Sequence, residues 1–248
     1  MKRYTAIFLA GLMALTLAAC SIQGASSGSQ GDPTSSNPQQ DTGLDTSEQD
    51  ASDAQPGADA GQEDPRMLVA YFSYGENAAL PDGVDASASA SIQIWNGTTT
   101  GNTGAVASMI AQATGGDLFS IRTVEPYPSS YDETVDQGQA ERSANARPAL
   151  ATHLENLADY DVIFLGYPNW WGDMPMAIYS FLDQVDLSGK TIVPFVTSGG
   201  SGFSNTVRTI QDLEPGATVA EGLSLRDSSA TGAQEQVDQW LQALGYGG

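Results

Sequence analysis

What the 248 residues have little of narrows the field first. There is one cysteine, Cys20, so no disulfide can form within the chain. There is one histidine, His153, which leaves only carboxylates as metal ligands, and no loop has the spacing of a calcium site. Basic side chains are scarce: nine Lys and Arg stand against 30 Asp and Glu, a formal charge of −21. That excess argues against nucleic acid and against anionic lipid as binding surfaces, because both need counter-charge from the protein. Gly189-Lys190-Thr191 has the ending of a phosphate-binding P-loop, but position 184 is Gln and the triplet precedes a strand, so it reads as a turn. Gly199-Gly200-Ser201-Gly202-Phe203 misses the nucleophile elbow at its last position. His153 lies in a polar stretch expected to be helical and far from Ser201, so a serine triad is not supported.

What is present begins with an export segment. Lys2 and Arg3 precede a stretch from Tyr4 to Leu17 of 14 residues. This is shorter than the roughly 18 residues of a membrane span and suits a cleaved signal. Leu17-Ala18-Ala19-Cys20 resembles the lipobox of bacterial lipoproteins, in which the cysteine is lipidated and becomes the mature terminus. Residues 1–20 are therefore expected to be a lipoprotein signal, with Cys20 as the anchor and no thiol left for redox work or zinc. The expected location is extracytoplasmic, on the bacterial cell membrane. Residues 21–65 hold nine acids, no Lys or Arg and almost no large apolar group, the composition of a disordered acidic tether. Residues 66–248 suffice for one domain with a sizeable core and carry 21 acids against seven bases. An acidic face of this kind either steers a basic electron-transfer partner or serves solubility.

Within that domain, apolar runs alternate with amphipathic stretches, the pattern of βα units on a parallel sheet. Strands are expected at Met67–Phe72, Asp117–Ile121, Asp161–Tyr167, Lys190–Val196 and Ala217–Leu225. Helices are expected at Gly104–Ala113, over most of Tyr131–Leu157 with an interruption near Pro148, from Pro175 to about Val185, and at Asn205–Leu213 and Gln234–Leu244. Residues 74–97 read as an irregular insert. Five strands with intervening helices give a doubly wound α/β/α sheet of three layers, whose ligands sit beyond the carboxyl ends of the strands at the switch in strand order.

The loops after the first, third and fourth strands are chemically unusual. The first ends in Thr98-Thr99-Thr100-Gly101-Asn102-Thr103 directly before a helix. Hydroxyls and unpaired N–H groups at a helix start suit a phosphate, and an ordinary N-cap with a turn glycine would look the same. The third reads Tyr167-Pro168-Asn169-Trp170-Trp171-Gly172-Asp173. Adjacent tryptophans after a buried strand cannot both enter one core, so at least one is expected at the surface where a flat aromatic ligand could meet it. The other reading is a pair of indoles capping the sheet end. The fourth, Thr197-Ser198-Gly199-Gly200-Ser201-Gly202, is small enough for a ligand edge to approach the backbone.

Together these residues resemble the flavodoxins, and more closely the flavodoxin-like lipoproteins and small reductases. The resemblance runs in order through residues 67 to 245. It rests on Tyr71-Phe72-Ser73, Thr100-Gly101-Asn102-Thr103, Glu125-Pro126-Tyr127-Pro128, Tyr160 to Pro168 with Trp170-Trp171-Gly172, Leu187 to Thr191, and Thr197-Ser198-Gly199-Gly200. It implies FMN held without a covalent bond. Ser73 and Thr100, Gly101, Asn102 and Thr103 would cradle the phosphate. Pro168, Asn169, Trp170, Trp171 and Gly172 would lie along the isoalloxazine, with one indole stacked on it. Backbone groups from Thr197, Ser198, Gly199, Gly200 and Gly202 would meet the pyrimidine edge. The flavin would supply the chemistry, so no side chain is assigned a catalytic role. Asp173 reads either as a charge lowering the flavin potential or as a solvated loop acid. The sequence departs from a plain flavodoxin in the 24 residues from Tyr74 to Gly97, which could form a lid. It also lacks a second aromatic cover for the flavin; Phe203 could substitute, but it begins the next helix and reads as core. The implied activity is electron transfer with a redox partner protein, or reduction of a small quinone-like acceptor by NAD(P)H. A binding module using the same cleft for another aromatic ligand is the alternative.

Overall fold

A computed structural model describes residues 64–81 and 91–247, so the expected export signal, the anchor at Cys20 and nearly all of the tether lie outside the described residues. The central sheet contains β1 (Met67–Tyr71), β4 (Asp117–Ser120), β5 (Val162–Pro168), β6 (Thr191–Ser198), β7 (Thr218–Val219) and β8 (Leu223–Arg226). A separate hairpin holds β2 (Ile92–Trp95) and β3 (Thr98–Gly101). The main sheet is parallel throughout, in the order β4-β1-β5-β6, with β7 and β8 both paired to the outer side of β6. The order reverses direction between β1 and β5, which places the switch point at their carboxyl ends.

The strands form where they do because both sheet faces are covered. A parallel strand buried on two sides needs an apolar run with no polar alternation, and Val162 to Tyr167 is buried at every position. One face packs under α2 (Asn102–Thr114) and α6 (Gln234–Leu244), through Val106, Met109, Ile110, Val237 and Leu241. The other packs under α4 (Met176–Leu182) and α5 (Thr206–Leu213), through Ile178, Phe181 and Ile210, with α3 (Tyr131–Ser143) lying against α4. Each such large side chain contributes about 1.5–3 kcal/mol of transfer free energy. Gly166 in β5 makes room for the ring of Phe195 in β6, since a Cβ there would stand 2.0 Å from Phe195 Cζ. No helix among the described residues is long and apolar enough to cross a membrane.

The three-layer α/β/α architecture matches the expectation, and three local differences have physical causes. The fifth strand is broken into β7 and β8. Lys190 and Ile192 accept bonds from Thr218 and Ala220 on that side. Two residues on, Pro194 has no N–H to continue the ladder, and the chain bulges until Leu223 meets Phe195. Residues 144–156 are not helical. Pro148 disfavours helix at Arg147, and the segment instead lies along 122–124, with bonds from Val124 N to Ala149 O and from Ala151 N to Arg122 O. His153 is therefore exposed in irregular chain. The stretch after β1 is ordered at both of its ends: α1 (Tyr74–Asn77) is one helical turn, and Ile92 to Gly101 is the β2–β3 hairpin. Its two central residues, Asn96 at φ 49° and Gly97 at φ 80°, make the left-handed turn that a two-residue hairpin requires.

Candidate functional site

The start of α2 is built as an open donor end. Gly101 occupies its cap position and supplies no side-chain acceptor, and the first turn has no acid. The leading N–H groups of a helix lack intrahelical partners, and the macrodipole makes that end attractive to an anion. Ser73 follows β1 and lies against this end, since a Cβ on Gly101 would stand 2.5 Å from Ser73 Oγ. Ser73 is 0 % exposed and its hydroxyl has no hydrogen-bond partner among the described residues. A buried unpaired hydroxyl costs on the order of 1–3 kcal/mol, so its presence points to a ligand atom that completes it.

The neighbouring hydroxyls are already committed. Glu76 of α1, with a side chain only 8 % exposed, gathers Tyr71 OH at 3.0 Å, Thr100 Oγ1 at 2.5 Å, Ser120 Oγ at 2.5 Å and the Arg122 guanidinium at 3.5 Å. Burial and the Glu76 carboxylate both push the Tyr71 phenol pKa up, which keeps it a donor. Thr103 Oγ1 lies 2.8 Å from Thr197 Oγ1, so the first and fourth loops are bolted together inside the protein. Asn102 accepts from Gln93 Nε2 at 2.7 Å and hydrogen-bonds Asp227. Burial raises the Asp227 pKa, and the bond from Asn102 offsets part of that. An anion at this end would thus meet Ser73 Oγ and backbone N–H groups, while the side chains of Thr100 and Thr103 fix the loop shape.

The third loop separates its two tryptophans. Trp170, half-buried, packs edge-on against Phe72 at 5.5 Å and Tyr127 at 5.4 Å at the margin of the core. Trp171 is 39 % exposed. The separation comes from a tight turn in which Trp170 and Asp173 exchange both backbone bonds, with Trp171 at φ 53° and Gly172 at φ 77°. A tryptophan in the left-handed region costs about 1–3 kcal/mol and persists only where the surroundings impose it. Here Asn169 imposes it, accepting from Gly172 N through Oδ1 while its Nδ2 donates to Gly202 O at 2.7 Å and Ser204 Oγ at 3.1 Å. Gly138 of α3 gives both indoles their seat, since a Cβ there would lie 2.9 Å from Trp171 Cζ3 and 3.3 Å from Trp170 Cε3. Asp173 is neither a free charge nor a solvated acid: it accepts from Tyr179 OH at 2.7 Å and Met174 N at 2.8 Å, and pairs with Arg142 at 3.4 Å.

The fourth loop turns on Ser198, whose Oγ accepts from Gly200 N at 3.3 Å and Gly202 N at 3.0 Å. Asn169 N donates to Thr197 O at 2.8 Å, so Thr197 touches both other loops. Phe203 packs on the core, with its ring against Gly222, and is not placed to cover a ligand. All three loops therefore join at the carboxyl ends of β1, β5 and β6. Sequence reasoning missed Glu76, Tyr74 and the turn at Asn96-Gly97. Only the last carried a local signal, an Asn-Gly pair between two β-prone runs. No group of three His, Cys, Asp or Glu suited to a metal occurs among the described residues.

A doubly wound sheet with an anion-seeking helix end, an exposed indole and a glycine rim at its switch point defines a domain that grips a flat, phosphorylated ligand. A family model described as flavodoxin matches residues 92–244, and the chain belongs to that family. No curated protein matches it. Among solved structures, a protein from Bacteroides uniformis ATCC 8492 described provisionally as a flavoprotein is 31 % identical, covering 72 % of this chain and 98 % of its own, with a TM-score of 0.55. A second so described, from Bacteroides eggerthii DSM 20697, is 29 % identical over 73 % of this chain and 99 % of its own, with a TM-score of 0.57. A flavoprotein in complex with FMN from Lactobacillus acidophilus NCFM is 19 % identical over 69 % of this chain and 99 % of its own, with a TM-score of 0.49.

Proposed function

We propose that this domain holds FMN non-covalently and transfers electrons, as a carrier or as an NAD(P)H-dependent reductase of quinone-like acceptors. We further propose that it works on the outer side of the bacterial cell membrane, anchored through lipid on Cys20. The observation that carries the cofactor reading is the unpartnered, fully buried hydroxyl of Ser73 beside the uncapped start of α2. Bound FMN would supply the capacity to take up and release electrons. The protein's part is to hold and tune it. Ser73 Oγ and the backbone N–H groups at the start of α2 would donate hydrogen bonds to the phosphate. Trp171 is the more exposed indole and the one better placed to meet the ring, since half-buried Trp170 packs edge-on against Phe72 and Tyr127. Asn169 keeps Trp171 in its turn and keeps Pro168 to Gly172 in register with the rim from Thr197 to Gly202. Asp173, already satisfied by Tyr179 and Arg142, adds less negative potential than a bare carboxylate would.

Purification tests the reading directly. The full-length protein should carry the visible absorbance of oxidised flavin, or regain it when FMN is added. A colourless protein that ignores FMN would favour a binding module for another aromatic ligand. The anchor has its own test: Cys20→Ala should move the protein from the membrane to the soluble fraction, and unchanged partitioning would refute lipidation at that position. Anaerobic titration with NADH, NADPH and a quinone would separate carrier from reductase.

A further inference from the structure

Beside Trp171, on its α3 side, lies a cleft of about 270 Å³. Four of its walls are aromatic, from Tyr74, Tyr131, Trp170 and Trp171, and no charged side chain lines it among the described residues. Tyr131 is 74 % exposed and so leaves its ring open to an incoming ligand. The electrostatics around the cleft run in one direction. The first turn of α3 contributes Asp132 and Glu133, and its N-terminus is closed by Ser130, whose Oγ accepts from Glu133 N. That helix end is therefore not available to an anion. The nearest cations in sequence or fold are occupied, Arg142 by Asp173 and Arg122 by Glu76. The one cationic side chain among the described residues in neither an ion pair nor a hydrogen bond, Arg226, stands elsewhere, against Gly200 at the rim of the fourth loop.

We propose that this cleft binds the small-molecule reaction partner as an uncharged flat ring and turns phosphorylated or sulfonated ligands away. This rests on the redox reading above and narrows its substrate class. A ring entering the cleft gains edge and face contacts with the tyrosines and tryptophans. A phosphate entering with it finds no cationic side chain in the described lining, and the acidic first turn of α3 adjoins Tyr131 in the chain, so its desolvation goes uncompensated. A nicotinamide nucleotide, with its pyrophosphate, is accordingly a poor occupant.

Tryptophan fluorescence of the full-length protein in detergent tests this, in FMN-loaded and FMN-free forms, titrated with a neutral naphthoquinone and its ring-sulfonated analogue. The neutral ring should quench both forms, and the sulfonate should bind at least about tenfold more weakly, equivalent to ~1.4 kcal/mol. Tyr131→Ser should weaken the neutral ring severalfold. Val135→Lys, which puts a cation in the lining, should reverse the preference. Thermal melts confirm that both variants fold, and both positions are at least partly exposed. Equal binding of the two rings, no effect of either variant, or competition between FMN and the neutral ring would each overturn the proposal, the last by making the cleft the cofactor's own seat. Binding of the neutral ring by a protein that refuses FMN would instead sink the redox reading and leave the cleft's selectivity standing.

Discussion

Two helices begin within sixty residues of one another at the same end of the molecule, and they are finished in opposite ways. The α3 start is complete in itself: Ser130 Oγ accepts from Glu133 N, the same hydroxyl donates to Glu133 Oε2, and Asp132 and Glu133 answer the dipole. The α2 start has a glycine cap, no acid in its first turn and a buried hydroxyl without a partner beside it. The α3 start is solvated and must stabilise itself, whereas the α2 start is buried and has the unsatisfied hydroxyl of Ser73 beside it, a group that a ligand would complete. The contrast teaches where a ligand belongs: the incomplete end marks the site, and the complete end marks scaffold.

The contrast can be broken most severely at Gly75. A Cβ there would lie 1.9 Å from the Thr100 carbonyl oxygen, a backbone atom that cannot swing away. Gly75→Ala should cost about 3 kcal/mol in urea denaturation and abolish retention of FMN, by pushing α1 off the start of α2. Ser73→Ala is gentler and more diagnostic. Deleting an unsatisfied hydroxyl should leave the stability of the FMN-free protein unchanged or slightly raised, while calorimetry should show FMN binding weakened by about 1.5–3 kcal/mol, the usual worth of a hydrogen bond to a charged group. A loss of stability without FMN would show that Ser73 is structural. At the finished helix, Ser130→Ala should cost about 1 kcal/mol of stability and leave FMN affinity untouched.

The smallest effect concerns pH. The Asp227 carboxyl, which helps hold Asn102, has its pKa raised above the ordinary 3.8 by burial. The folded state then binds its proton more tightly than the unfolded state, so this group favours unfolding at neutral pH. That penalty disappears as pH falls through the raised native value. Asp227→Asn should therefore raise the melting temperature slightly near neutral pH, and the difference from the parent protein should fade on acidification. A variant equally stable at all pH values would show that the carboxyl is solvated.

Much of this was legible beforehand, for reasons that can be named. The runs of β1, β5 and β6 are apolar without alternation because both faces of the sheet are covered, and helix α6 carries Val237 and Leu241 on one stripe. Three loops of unusual chemistry therefore fell at the carboxyl ends of the right strands. The hairpin at Asn96-Gly97 has a local turn signal, but its second strand, Thr98 to Gly101, runs straight into α2 with hydroxyls and a glycine that equally suit a loop. The role of Glu76 was not legible at all. Its partners Thr100, Ser120 and Arg122 lie 24, 44 and 46 residues away, a gathering that no window of sequence reveals.

The sequence alone determined the layers, the strand runs and the chemical character of each loop, since these follow from periodicity and turn chemistry that act over a few residues. Tertiary structure decided which tryptophan is the more buried, which threonines are spent on the frame and which hydroxyl is left waiting. Those choices depend on Gly138, Asn169 and Thr197 meeting residues distant in the chain, and packing settles such meetings only when every element is in place.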